Sequence, residues 1–257
     1  MRTVDLNADL GEGFGPWTMG DDAALLGVIS SANVACGVHA GDWDVMAQVM
    51  REAVARGVGI GAHPGFPDLQ GFGRREMQFV PDSAANLVRW QLGAAQAMAR
   101  AAGGAVRHLK LHGALANMAA RDEALALACF RGALSVDPGL ILVVLAGTAQ
   151  ERAARQLGAR AACEIFADRA YQGDGTLLDR RLPGAVIHDP QLAARRVLAM
   201  LRAGAILPED GPPIPTRIDT ICLHGDTPGA IAMAQAVRAA LEAEGVAIAA
   251  FPGEPMR

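Results

Sequence analysis

Short apolar runs alternate with amphipathic stretches of helical length from one end of the chain to the other. The runs at residues 3–6, 32–35, 58–61, 106–111, 140–145, 162–166, 218–223 and 246–249 read as β-strands. Start and stop signals frame the helices between them. Asp42 caps a helix that runs to about Arg56, with Gly57 as its stop. Asp82 opens another, which runs to about Ala102 before Gly103 and Gly104. The pairs Asp189-Pro190 and Thr227-Pro228 each place a capping residue before a proline at the first helical position. Strands that alternate with helices predict a parallel sheet. Seven or eight such units without a charge-rich linker predict a single domain over residues 1–257, an α/β fold closed or nearly closed into a (β/α) barrel. A doubly wound open sheet is the alternative. Three long segments, 63–81, 167–188 and 207–216, interrupt the pattern and read as functional loops.

Polar residues cluster where the apolar runs stop. His39, His63, His112 and His224 each stand close before or at a glycine turn, and Asn7, Asp9 and Glu12 follow the first run. In a parallel α/β fold the C-terminal strand ends share one rim, where active sites are built. Alternation sharpens this. Asp5, Asn7 and Asp9 share a face, as do His108, Lys110 and His112, and Cys222, His224 and Asp226. Gly59, Gly61 and His63 share another, with the glycines leaving space beneath the histidine. Leu6, Leu109, Leu111 and Leu223 take the opposite face and suit the layer under the helices. The polar set must then face the barrel interior, where it has to be paired or solvated. His108, deeper in its strand, and His188, before a helix, read as structural.

Composition narrows the function classes. The chain has 257 residues, 51% hydrophobic but only 4% aromatic, with 30 glycines, so its core packs small aliphatic side chains. Its net charge of -4 does not suit a nucleic-acid or anionic-membrane surface. The longest apolar run, GLILVVLAG, falls far short of the roughly 20 residues of a membrane span. The first residues lack the apolar core of a signal peptide. The four scattered cysteines form no CxxC pair, which predicts reduced thiols in a cytoplasmic protein.

Several residue sets could carry chemistry. Asp9 and Glu12 suit a general base and its partner, or metal ligands. Lys110 on an interior face must neutralise a carboxylate, from Asp9 or from a substrate. Arg74 and Arg169 on rim loops suit a substrate carboxylate, whereas Arg75 reads as solvated. Cys36 reads as a small buried cysteine rather than a nucleophile. There is no GxSxG elbow, no GxxxxGK[ST] loop and no GxGxxG fingerprint. Asp9, His63 and His112 would make a one-Asp, two-His site for zinc or a similar divalent ion, without local spacing such as HExxH.

Six segments together carry a resemblance. DLNADLGEGFG (5–15), ANVACGVHAGD (32–42), GAHPGFPDLQGFGRR (61–75), LKLHGAL (109–115), FADRAYQGDGTLLDRRLPGAVI (166–187) and ICLHGDTPGA (221–230) resemble the LamB/YcsF family. The resemblance implies an irregular seven-stranded TIM-like (β/α) barrel of the glycoside hydrolase and deacetylase type. It implies a 5-oxoprolinase reaction, the opening of 5-oxo-L-proline to L-glutamate coupled to hydrolysis of ATP, with Mg as its counter-ion. It implies two partner subunits, B and C. Carried over, the motif positions are Asp9, Asn33, His39, Asp42, His63, Arg74, Lys110, His112, Asp168, Arg169, His224 and Asp226. Among these Asp9 is the expected base, His112 or His63 the proton donor, and Lys110 the stabiliser of developing charge. Asn33, His39, Asp42, Arg74, Asp168, Arg169, His224 and Asp226 are the expected substrate contacts. Leu111 stands where the family has proline, and Ala116 where it has an aromatic, which bears on pocket width. The rival readings are a metal-dependent deacetylase or amidohydrolase and a non-catalytic lactam-binding subunit.

Overall fold

The computed structural model describes residues 2–226 and 229–256. Six strands come first: β1 (Thr3–Leu10), β2 (Ser31–Ala35), β3 (Gly59–His63), β4 (Val106–Lys110), β5 (Ile141–Leu145) and β6 (Arg160–Phe166). A two-stranded antiparallel ribbon follows, β7 (Ala205–Ile206) with β8 (Ile214–Pro215), and then β9 (Thr220–Leu223). Each neighbour in the series β1 to β6 pairs in parallel, and β9 pairs in parallel with both β6 and β1. That double pairing closes a seven-stranded barrel and excludes the open sheet. The strand expected at 246–249 shrinks to β10 (Ala247–Ile248), which pairs with Thr3 and Val4 at the start of β1 and stays outside the ring. A last strand, β11 (Glu254–Pro255), adds antiparallel to β6.

Helices α1 (Asp22–Leu25), α2 (Trp43–Arg56), α3 (Pro81–Ala101), α4 (Gly113–Arg121), α5 (Glu123–Val136), α6 (Ala149–Gln156), α7 (Pro190–Ala203) and α8 (Ala230–Ala243) flank the barrel. Asp42 caps α2 as expected, accepting from the amides of Asp44 and Val45 at 2.9 Å each, and Gly57 ends it in the left-handed region. The start of α3 differs. Pro81 holds the first position behind Val80, and Asp82 lies in the first turn, where its charge still favours the helix dipole. The Thr227-Pro228 cap lies outside the described residues. Among the described residues no helix is long and apolar enough to cross a membrane.

The alternation along β1 sets the whole interior. Leu6, Ala8 and Leu10 are fully buried under the helices, with Leu109, Leu142 and Leu223 from other strands. Asp5, Asn7 and Asp9 face inward beside Ser31, Asn33, His108, Lys110, Glu164, Thr220 and Cys222. Phe251 packs with Ile141, Val143 and Ala162 and lies edge-on to His108, giving the interior one apolar corner.

Gly61 is required by this packing, for a reason the sequence misassigns. A Cβ there would sit 2.0 Å from His108 Nε2, so the space lies beneath His108 rather than His63. Gly61→Ala should destabilise the fold by about 3 kcal/mol, at the upper end of overpacking costs. Urea unfolding checks this, and adding His108→Ala should recover part of the loss. A single variant within about 0.5 kcal/mol of wild type would contradict the packing described.

Candidate active site

The inward side chains form a continuous hydrogen-bonded ladder. At its base Asp5 accepts from Ser30 (2.6 Å), Ser31 (2.7 Å) and the Thr220 hydroxyl. Burial pushes its carboxyl up to about 6 despite these three donors. Thr220 in turn accepts from Asn7 Nδ2 at 2.7 Å, and Asn7 also donates to Glu164 at 3.0 Å. Asn33 donates to Asn7 Oδ1 (2.7 Å) and Asp9 Oδ1 (2.9 Å), while its own Oδ1 faces His108 Nε2 at 2.8 Å. His108 is thus a ladder member, in line with the structural role read for it.

Lys110 is the hub above this ladder. Its Nζ lies 3.0 Å from Asp9 Oδ1, 2.9 Å from Glu164 Oε1, 3.2 Å from Asn7 Oδ1 and 2.9 Å from Cys222 Sγ. Burial alone would discharge this lysine, but Asp9, Cys222 and Glu164 outweigh burial and hold its pKa well above the usual value. Burial likewise pushes Asp9 up, and His63 and Lys110 more than reverse it, so Asp9 stays ionised.

Three histidines and a carboxylate meet beside Asp9. His63, at the end of β3, places Nδ1 2.8 Å from the Lys110 carbonyl and Nε2 3.3 Å from Asp9 Oδ2. His112, before α4, places Nε2 2.8 Å from the Phe72 carbonyl and Nδ1 3.0 Å from His63 Nε2. His39 stacks flat on His112 at 3.6 Å and sets its Nε2 3.3 Å from Glu12 Oε1. Burial, helped by neighbouring histidines, lowers His39 well below its usual value and His112 to about 3. Burial beside Asp9 raises Glu12. Phe72, whose carbonyl receives His112, is the one non-glycine residue with positive φ (55°) among the described residues, a strained conformation of the kind found at functional sites.

A second arrangement stands where β6 and β9 end. Asp168 holds His224 Nδ1 at 2.7 Å and 2.9 Å. Burial disfavours the imidazolium, but Asp168 outweighs it and raises the pKa of His224. Arg74 pairs with Asp226 at 2.6 Å and lies over the Phe72 ring. His224, Arg74 and Asp226 border a cavity of about 650 Å³, whose wall also carries Arg121, Arg180 and Arg181.

The cavity brings together Asp9, Glu12, His63, Arg74, Lys110, His112, Arg169, His224 and Asp226 from distant parts of the sequence. Other expected contacts stand back from it. Asn33 and His39 are fully buried behind the wall. Asp42 caps α2 and accepts from the Gly15 amide at 2.6 Å, so its role is to tie the 11–20 loop to that helix. Arg169 is at the cavity, yet its guanidinium donates to the carbonyls of Ala185 (3.2 Å) and Leu178 (2.6 Å) and braces its own loop. Arg75 is not merely solvated, because it pairs with buried Asp68. Cys36 is buried with its thiol pushed up to about 12, as befits a packing residue. Leu111 is buried in the main core, and Ala116 lines the cavity. Sequence reasoning alone misses Glu164, Phe72 and Arg180. A lone Glu inside the apolar run ACEIF is the one available signal for the first.

Comparison with known proteins places this architecture. The LamB/YcsF family pattern matches residues 4–255. A relative from Ruegeria pomeroyi, named as the A subunit of 5-oxoprolinase, is 64% identical over 251 residues, covering 98% of this chain and 99% of the relative. The crystal structure of a lactam utilization protein from Thermus thermophilus superposes with a TM-score of 0.90 at 46% identity, covering 97% of this chain and 100% of that one. A polysaccharide deacetylase from Bacillus cereus shares the fold alone, with a TM-score of 0.50 at 13% identity over 98% of this chain and 92% of that chain. The chain therefore belongs to the LamB/YcsF family, with the deacetylase-type barrel that its strand pattern and closure display.

Proposed function

We propose that this chain is the A subunit of a 5-oxoprolinase and hydrolyses the lactam C–N bond of 5-oxo-L-proline to give L-glutamate. The observation that carries the chemistry is a base and an acid side by side. Ionised Asp9 and a ring nitrogen of His224 lie within 4.8 Å of each other at the cavity. Asp9 takes the proton of the attacking water. His224, protonated through Asp168, delivers a proton to the ring nitrogen as the C–N bond breaks. Lys110 holds Asp9 in place and stabilises negative charge. The role of proton donor moves from His63 and His112 to His224 on geometric grounds. The first two direct an N–H at a backbone carbonyl, and neither keeps a proton for the cavity in its neutral form. Arg180 takes the substrate carboxylate, since Arg169 is committed to carbonyls and Arg74 to Asp226, whereas Arg180 makes no direct hydrogen bond or ion pair among the described residues.

Opening an unstrained lactam to an amino acid is uphill, so the reaction is coupled to ATP, with Mg as its counter-ion. ATP phosphorylates the lactam oxygen with release of ADP, a first water adds to the ring carbon, C–N cleavage leaves γ-glutamyl phosphate, and a second water releases phosphate and L-glutamate. The arginine-rich wall suits such an anionic intermediate. With no phosphate-binding loop in this sequence, the nucleotide sits in, or at the border with, the B and C subunits. Trp17, Trp43 and Trp90 are all largely exposed, as suits protein contacts. Four buried free thiols suit the cytoplasm.

Glutamate release from 5-oxo-L-proline is the direct test. It should require ATP and all three subunits, and Asp9→Asn or His224→Asn should each lower kcat by about 10²–10⁴-fold. ATP-independent turnover by this chain alone would overturn the coupling, and near-wild-type turnover of both folded variants would overturn the roles. The dyad has a separate check. Asp168→Asn should shift the His224 titration, followed by NMR, to lower pH, because Asp168 is what raises it.

A further inference from the structure

We propose that Glu12, His63 and His112 form a binding site for a zinc-like divalent cation, with His39 positioning the carboxylate. The argument begins with where the imidazole protons are. His63 Nδ1 lies 2.8 Å from one backbone carbonyl, and His112 Nε2 lies 2.8 Å from another. A carbonyl only accepts, so each of these nitrogens carries the proton. The nitrogens left over, His63 Nε2 and His112 Nδ1, face each other at 3.0 Å, and His63 Nε2 also faces Asp9 Oδ2 at 3.3 Å, so two ring nitrogens and a carboxylate oxygen converge with no hydrogen that a carbonyl has not already taken. Neutral imidazoles in this arrangement repel unless something positive lies between them. A cation held between the two rings would satisfy both nitrogens at once.

The third donor is in place. Glu12 Oε1 lies 3.5 Å from His112 Nδ1, and all these donor atoms fall within 4.8 Å of one another. Donors about 2.0–2.1 Å from a tetrahedral ion stand about 3.3 Å apart, close to the spacing found. The two rings meet at 90°, so their lone pairs approach from different directions. His39 is different. It lies parallel to His112, within 6°, so the two lone pairs run side by side and do not converge. Its Nε2 instead lies 3.3 Å from Glu12 Oε1 and donates to it, the usual support for a ligating carboxylate. Its Nδ1, left without a partner among the described residues, is then a bare acceptor and not a stranded N–H.

The backbone is shaped around this group. Phe72 accepts the His112 proton from a left-handed conformation, and a Cβ on Gly73 (φ 62°) would come within 2.7 Å of His39 and 2.9 Å of His112. The sequence suggested Asp9 as the carboxylate ligand, and its Oδ2 does lie 3.3 Å from His63 Nε2, but its Oδ1 is held by Lys110 and Asn33, and Glu12 is the carboxylate whose oxygen gathers with His39, His63 and His112 together. Two nitrogens and one oxygen suit zinc over magnesium or calcium, which prefer oxygen. Three protein donors leave one position open, and Glu12, His63 and His112 all border the cavity. An ion there would polarise a carbonyl or acidify a bound water.

The site is independent of the 5-oxoprolinase reading, and its test needs no activity. The chain, stripped with chelator and dialysed against Zn(II), should retain about one zinc per chain by atomic emission. The His63→Ala/His112→Ala double variant should retain about none while keeping its circular dichroism. His39→Leu, which has no donor, should weaken zinc binding about 10–100-fold, as expected for loss of a supporting hydrogen bond. Co(II) in the wild-type chain should give visible ligand-field bands of a low-coordinate site, a readout that does not depend on the variants folding. Wild-type protein that retains less than about 0.1 zinc and shows no cobalt bands would overturn the proposal, as would full retention by the folded double variant.

Discussion

The interior of this barrel depends on one ammonium group. Lys110 sits between Asp9 and Glu164 with almost no exposure, and both carboxylates are buried with it. Two uncompensated carboxylates in such a place would cost several kcal/mol each. With Lys110 in place Asp9 is ionised, fixed in direction and tied through Asn33 and Asn7 to the base of the barrel. Everything at the rim is built on that pinned carboxylate.

From this base the fold tunes similar side chains in opposite directions. His112 and His224 border one cavity. The first is surrounded by other histidines and held down to about 3, and the second is held by Asp168 and raised. One imidazole is kept uncharged and the other is favoured as a cation. The split follows the barrel's construction. The ends of β2 and β3 and the segment after β4 supply His39, His63 and His112, while the ends of β6 and β9 supply Asp168 and His224. Environments that push equivalent groups apart are how one site holds both acid and base at the same pH.

Much of this is legible in the sequence because period-two alternation is a strong constraint. The inward face of Asp5, Asn7 and Asp9, the outward face of Leu6, and the strand-end placing of His63, His112 and His224 follow from it alone. What fails, fails for identifiable reasons. An apolar-run criterion stops the first strand at Leu6 because its inward residues are polar, whereas the structure continues it to Leu10. Asp42 reads as a substrate contact because it lies in a motif, although a cap and a motif residue look alike in one dimension. Arg169 is taken up by the carbonyls of Ala185 and Leu178, which only the folded loop brings to it, and that is a tertiary fact. The pairing of Lys110 with Asp9, by contrast, is as the shared inward face suggests.

The charge balance around Lys110 is open to direct measurement by chemical unfolding. Lys110→Met should lose about 3–5 kcal/mol, the range for breaking a buried ion pair from one side. A triple variant that also carries Asp9→Asn and Glu164→Gln should regain most of that loss, since no buried charge is then left unpaired. A Lys110→Met protein within about 1 kcal/mol of wild type, or a triple variant no more stable than the single one, would contradict the account.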